Sequence, residues 1–243
     1  MRSTLAKMIP EDIKTYVEPF GGAAWVLLYK PRWAPCEVYN DLDCRLVNLF
    51  LQAKYHPRAL DEEIRGVPMS RQLFEAYLAN PGITEIQRAA RFFFVINRSF
   101  GGLGSYFAVQ PGCPAVSSLQ RADMLPELSQ RLSQVVIEQL DYSVVIDKYD
   151  RYDSFFLVDP PYSIGLTYCN SADFDHVRLH DRLSSVKGRW ILTYDDSDYI
   201  RELYSGYNIQ SVSRRRGIIV DSEAMYSEII VSNYNTDRQL SVL

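Results

Sequence analysis

The stretch Phe155-Phe156-Leu157-Val158-Asp159-Pro160-Pro161-Tyr162 constrains this chain more than any other. Four apolar residues in a row read as a strand buried on both faces. Pro160 and Pro161 then end it, because neither can donate to a ladder. The backbone has to leave the sheet there, with an acid on one side of the stop and an aromatic ring on the other. In an open α/β sheet, ligands bind beyond the carboxyl ends of the strands. A carboxylate and a proline carbonyl are both acceptors only. Side by side, Asp159 and the Pro160 carbonyl suit an amino group that offers two N–H donors, and Tyr162 offers a face for a flat ring. The plainer alternative is a strand followed by an ordinary Asp-Pro turn.

The rest of the chain supports an α/β reading. Its 243 residues suffice for one large domain or one domain with an insert, and 47% hydrophobic against 23% charged residues argues for a packed core. No run is long enough to span a membrane and no basic-then-apolar leader is present, so a cytoplasmic protein is expected. Cys36, Cys44, Cys113 and Cys169 lack zinc-site spacing and read as free thiols of a reducing compartment. His56, His176 and His180 are too dispersed for a metal cage, so no metal is expected. The net charge of −4 gives no global pull on nucleic acid, and any such surface has to be a local patch.

Taken in order, Leu5 to Ile13 holds a short apolar-periodic stretch broken by Pro10. Tyr16-Val17-Glu18 predicts the first sheet strand. It runs into Pro19-Phe20-Gly21-Gly22-Ala23-Ala24 and then a helix over Trp25 to Tyr29. Strand, glycine turn and helix let a cofactor approach the backbone closely, although the pair of glycines also fits a plain tight turn. Glu37-Val38-Tyr39 predicts a second strand, followed by Asp41, about 20 residues after the glycine turn, where an acid can bind ribose hydroxyls. Asp41 also fits as the N-cap of a helix over Cys44 to Tyr55, and Asp43 is the reserve for the ribose. From 56 to 134 the βα rhythm lapses into helices over Arg58–Val67, Arg71–Ala79, Thr84–Ile96 and Arg121–Leu132, with a glycine-rich loop after Asn97 and Arg98. This section reads as an insert in a domain made of 1–55 and 135–243.

Val135-Val136-Ile137 predicts a third strand. Asp141 beyond it fits either a hydrogen bond to a cofactor's adenine amino group or a solvated turn. After the strand ending at Asp159, Ser163 to Asp173 reads as a lid. A helix over Asp175 to Lys187, a strand over Trp190 to Tyr194 and a helix over Ser197 to Leu203 follow. An antiparallel pair, Tyr207–Val212 and Glu228–Tyr234, closes the chain. Arg214, Arg215 and Arg216 lie between the last two strands, either as a solvated loop or as a patch for phosphates.

The Glu18-Pro19-Phe20-Gly21-Gly22 turn, Asn40-Asp41, the helical insert with Asn97-Arg98, Asp159-Pro160-Pro161-Tyr162 and Glu228-Ile229-Ile230 occur in one order. That order resembles the Dam-like (D12, alpha-group) DNA adenine-N6 methyltransferases over nearly the whole chain. The resemblance implies a Rossmann-like methyltransferase sheet, S-adenosylmethionine as methyl donor and a target-recognition insert. It implies double-stranded DNA as substrate and a cognate restriction endonuclease as a companion. By it, Glu18, Phe20, Gly21 and Gly22 line the cofactor, Asp41 holds its ribose, and Asp159 sits near both substrates. Asn97 and Arg98 belong to the DNA-reading section. Two features differ. Members carry a Gly-Gly-Lys motif before the first helix, where this chain reads Met1-Arg2-Ser3-Thr4-Leu5-Ala6-Lys7. Their recognition hairpin is more basic than Phe100-Gly101-Gly102-Leu103-Gly104-Ser105. A base methyltransferase acting on RNA, a non-catalytic DNA-binding relative and transfer to cytosine N4 are the alternatives.

Overall fold

In a computed structural model, residues 1–99, 102, 104–108, 123–162, 174–215 and 225–236 are described, with backbone alone for 213–215 and 225–226. Contacts divide the chain into two units, 1–42 with 140–243, and 43–139.

The first unit opens with α1 (Arg2–Met8) and β1 (Thr15–Glu18), followed by a single 3-10 turn, Leu27–Tyr29. The α-helix expected over Trp25 to Tyr29 is therefore not formed. Pro31 explains this: the residue before a proline is driven out of the helical region, and Lys30 is extended at φ −118°, ψ 156°. β2 (Cys36–Asn40) ends the first segment. After the second unit come α7 (Tyr142–Tyr149), β4 (Ser154–Val158), α8 (His176–Ser184), β5 (Arg189–Asp195), α9 (Asp198–Leu203), β6 (Asn208–Arg215) and β7 (Met225–Ser232). Helix α7 has no counterpart in the sequence reading. Its Val144-Val145-Ile146 run is β-branched and disfavours helix. The Asp141 carboxylate, accepting from Ser143 N at 2.9 Å, starts the helix nonetheless, and Tyr142, Val145 and Ile146 bury one stripe of it.

With β3 (Val135–Glu138), the strands form a seven-stranded sheet in the order β3-β2-β1-β4-β5-β7-β6. β1 pairs in parallel with β2 and β4, and β4 in parallel with β5. The closing pair is antiparallel, as expected, with β7 against both β5 and β6. This is a mixed α/β, Rossmann-like sheet. The order reverses at β1, whose neighbours β2 and β4 lead the chain in opposite directions, so β1 and β4 border the topological switch point.

All five residues of β4 are buried, as the unbroken apolar run required. On one face Val17, Val38, Phe156, Val158, Leu192 and Tyr194 pack with Val145 and Ile146 of α7, Leu179 and Leu183 of α8 and Ile200 of α9. On the other, the Tyr16 ring stacks between Trp33 (centroids 5.5 Å apart) and Phe155 (5.9 Å).

The second unit holds α2 (Cys44–Tyr55), α3 (Pro57–Arg65), α4 (Arg71–Ala79), α5 (Glu85–Arg98), α6 (Leu125–Leu132) and β3. Asp43, not Asp41, caps α2 by accepting from Arg45 N at 2.9 Å. Thr84 and Gln87 close a capping box at the start of α5. Phe74, Phe94 and Val95 form a small core there with Val67, Tyr77 and Phe107 against it. Among the described residues no helix is long and apolar enough to cross a membrane.

Candidate active site

The carboxyl ends of β1 and β4 lie side by side, since Val17 is paired with Phe156. At the end of β1, Tyr16 Oη donates to Glu18 Oε1 at 2.6 Å, both residues being buried. The chain then enters the glycine turn, which is pinned at each residue. Gly21 N donates to Asn40 O at 2.7 Å, Gly22 N to Asp41 Oδ2 at 2.8 Å, and Tyr39 Oη to Gly22 O at 2.8 Å.

The two glycines serve different needs. A Cβ on Gly21 would lie 2.2 Å from Tyr39 Cε2, so only glycine fits beneath that ring. Gly22 has φ +49° and open space where its Cβ would be. That leaves the peptide reachable by a ligand, the close approach a cofactor turn requires.

Asn40, which the sequence marks only as the neighbour of Asp41, braces the cofactor side of the site. It is 1% exposed. Its Nδ2 donates to Pro19 O at 2.8 Å and to Leu140 O at 3.0 Å, and its Oδ1 accepts from Leu140 N at 2.8 Å. One amide thereby ties the glycine turn, the end of β2 and the segment leading to Asp141. Asp41 is drawn onto the Gly22 peptide, so its role includes bracing the turn. Asp141 caps α7 and also pairs with Arg178, whose Nη2 lies 3.1 Å from Oδ1. Burial would raise its pKa, but hydrogen bonds from Ser143 and the Arg178 charge outweigh that and hold it below the usual carboxylate value. Neither of the two roles weighed for it in the sequence, adenine acceptor or solvated turn, included this cap.

Asp159 stands exposed just past β4, Pro160 is buried, and Pro161 and Tyr162 are half-buried. The register places Leu192 opposite Val158, which brings Thr193 level with Asp159. Thr193 Oγ1, itself buried, donates to Asp159 Oδ1 at 2.5 Å. That bond fixes the rotation of the carboxyl group, whose Oδ1 accepts.

An aromatic row runs along the same edge of the unit. Phe20 lies against Tyr142 (5.1 Å) and Phe174 (5.7 Å), Phe174 against His176 (5.2 Å), His176 against Tyr194 (5.5 Å), and Tyr194 against Tyr162 (6.0 Å). Apart from Phe20 and Tyr162, nothing in the sequence marks this row. Its other members come from α7, the segment entering α8, α8 itself and β5, and meet only through the fold. An open hollow of about 570 Å³ lined by Asp150, Arg151, Tyr152, Asp153 and Lys187 lies at the amino end of β4, away from Asp159.

In the second unit Asn97 Nδ2 donates back to Phe93 O at 2.7 Å, and Arg98 is 7% exposed. Arg98 is thus buried, while Asn97 is half-buried. The side chains of Arg214 and Arg215, the whole of Arg216 and the expected lid over 163–173 lie outside the described residues, as does part of the glycine-rich loop. Among the described residues no group of His, Cys, Asp and Glu is arranged to hold a metal ion.

The model of the D12 class N6 adenine-specific DNA methyltransferase family matches residues 2–218. This chain belongs to that family. Among curated relatives, the type II methyltransferase M.CviBI of Paramecium bursaria Chlorella virus NC1A is 24% identical, with 82% of this chain and 80% of that protein covered. The type II methyltransferase M.MjaIII of Methanocaldococcus jannaschii is 25% identical, with 96% and 93% covered. Solved structures are more remote. A precorrin-8w decarboxylase from Methanobacterium thermoautotrophicum aligns at 11% identity and a TM-score of 0.46, over 96% of this chain and 89% of that one, too loose a likeness to add to the family assignment. Membership makes the chain an enzyme of the adenine-N6 DNA methyltransferase class, and Asp159-Pro160-Pro161-Tyr162 falls inside the matched span.

Proposed function

We propose that this protein transfers a methyl group from S-adenosylmethionine to N6 of one adenine in double-stranded DNA, after that base has left the helix. The observation that carries the reading is the Asp159 carboxylate, exposed at the switch point and oriented by Thr193.

Adenine N6 has two N–H donors and a lone pair delocalised into the ring. Asp159 and the Pro160 carbonyl accept one hydrogen each, which pulls the nitrogen toward a tetrahedral shape and frees the lone pair for attack. Attack takes the methyl from its sulfonium, which is left as a thioether, and the proton that N6 then sheds passes by way of Asp159 to solvent. Pro161 stiffens the turn, and Tyr162 stacks the extruded ring. Unstacking costs a few kcal/mol, which contacts to DNA must offset. The gain in rate is mostly positioning, with some electrostatic help.

The cofactor, when bound, supplies an electrophilic methyl group on a sulfonium. The residues present suit it. Gly22 leaves open space where a side chain would stand, and Glu18, Phe20, Gly21, Gly22 and Asp41 gather at the end of β1 and β2. Asp141 remains our candidate for the adenine end, exchanging its pairing with Arg178 for that contact. No metal takes part in this scheme.

We assign target reading to the helical section over 56–134, carried by the domain of 1–55 and 135–243. Asn97 and Arg98 are our candidates for DNA contact within that section. Arg214, Arg215 and Arg216 are our candidates for phosphate contact, a local patch on a chain of net charge −4. A cytoplasmic location and a companion endonuclease reading the same DNA sequence complete the proposal.

The test is tritiated methyl incorporation into duplex DNA and into structured RNA, with wild type and Asp159→Ala. Label in DNA at adenine N6, lost in the variant, is expected. Label confined to RNA, or an Asp159→Ala protein at the wild-type rate, overturns the assignment. Protection of host DNA from a restriction enzyme would name the sequence read.

A further inference from the structure

His176 and Tyr194 have no part in that scheme, yet they form a closed pair behind Tyr162. Tyr194 on β5 is fully buried, and its hydroxyl lies 2.6 Å from His176 Nδ1 at the start of α8. A buried phenol needs a partner, and losing it costs more than the bond itself is worth. Burial pushes the ionisation of Tyr194 far up, so the hydroxyl keeps its proton, and Nδ1 is the acceptor within its reach. Nδ1 therefore accepts, which requires a neutral imidazole with its proton on Nε2. Burial favours that form by lowering the His176 pKa, against the pull of Asp195 and Asp175.

The consequence lies at Tyr162. Two prolines fix the chain that delivers it, but the ring needs a surface to rest on. The Tyr194 ring supplies that surface, 6.0 Å away and tilted by 43°. On its other side the imidazole meets Phe174 at 5.2 Å, edge on, and Phe174 meets Phe20 of the glycine turn. We infer that His176 is a positioning residue for base capture: neutral, it holds Tyr194, and Tyr194 holds the Tyr162 ring at the angle at which the extruded adenine stacks. This rests on the methyltransferase reading above and adds to it a residue that touches neither substrate.

The experiment is steady-state methylation of duplex DNA by wild type, Asp159→Ala, His176→Phe, His176→Asn, Tyr194→Phe and the His176→Phe/Tyr194→Phe double variant. Asparagine places an acceptor oxygen near the position of Nδ1, and phenylalanine does not. His176→Phe and Tyr194→Phe should each lower kcat/KM for DNA about tenfold, with KM for S-adenosylmethionine within about twofold of wild type. The double variant should be no worse than either single one, and His176→Asn should recover to within about threefold of wild type. Tyr194→Phe removes one oxygen only and carries the same expectation should His176→Phe fail to fold. Wild-type activity in both single variants, losses that multiply in the double variant, or no recovery in His176→Asn overturns the inference while the methyltransferase reading stands. Absence of methyl transfer by wild type, or full activity in Asp159→Ala, overturns both.

Discussion

The two glycines of the turn make opposite demands, and replacing each by alanine separates them. In Gly21→Ala the new methyl carbon would sit 2.2 Å and 2.5 Å from two carbons of the Tyr39 ring and 3.0 Å from Asn40 O. Tyr39 is fully buried, and its hydroxyl is tied to Gly22 O, so the ring cannot swing away without releasing that bond. Overpacking a core by one methyl costs about 1–3 kcal/mol, and the lost hydrogen bond adds about 1 kcal/mol. The sum is about 2–4 kcal/mol, which for a chain of this length lowers Tm by roughly 5–15 °C. Gly22→Ala meets no neighbour but must hold φ +49°. The left-handed region costs a non-glycine residue about 1–2 kcal/mol, or roughly 2–8 °C. The order should reverse in calorimetry with S-adenosylmethionine. Gly22→Ala puts a methyl group into the open side of the turn and should weaken binding more than it weakens the fold. Tyr39→Leu should restore much of the stability of Gly21→Ala by removing the ring that clashes. If Gly21→Ala melts within a degree of wild type, or Tyr39→Leu brings no recovery, the clash does not set the turn.

Two further outcomes follow from the same contacts. Asn40→Ala strands Leu140 N and Pro19 O and should cost about 2–4 kcal/mol in denaturant unfolding. Asn40→Asp keeps the bond from Leu140 N but turns an acceptor oxygen on Pro19 O and Leu140 O in a buried site, and should cost at least as much as alanine. In acid, the unfolded chain takes up a proton at His176 near the ordinary value of 6.5, while the folded state resists because burial lowers it there. Stability contributed by neutral His176 is therefore complete above 6.5 and is lost as pH falls from there through the folded value. Asp195, Asp175, Tyr194 and Tyr199 are the titratable groups nearest that ring. Asp43, Asp141 and Asp196 sit below 3.8, so their losses begin only near or under that value. Thermal melts between pH 6.5 and 5 should thus fall in wild type and flatten in His176→Phe. Equal slopes would remove His176 as the source.

How far the site was legible in the sequence depends on how local its parts are. Asp159-Pro160-Pro161-Tyr162 announces itself because strand, stop, acid and ring lie in one contiguous run, and β4 is buried throughout as that run demanded. The glycine turn is legible for the same reason. Pro31 stands in the sequence too, and it drives Lys30 out of the helical region, so one 3-10 turn forms where a helix is expected. Helix α7 went unread because propensity and cap disagree there, and the cap with its buried stripe prevails. The partners that orient the motif were out of reach for a different reason. Thr193 meets Asp159 only because β5 pairs with β4 in one register, and shifting that register by one residue would turn Thr193 to the opposite face. The same shift would carry Tyr194 away from Tyr162. Strand pairing, not any residue type, thus decides which carboxylate oxygen is held and which ring backs the base. A motif match can name the reacting group, but the angle at which it acts belongs to the neighbouring strand.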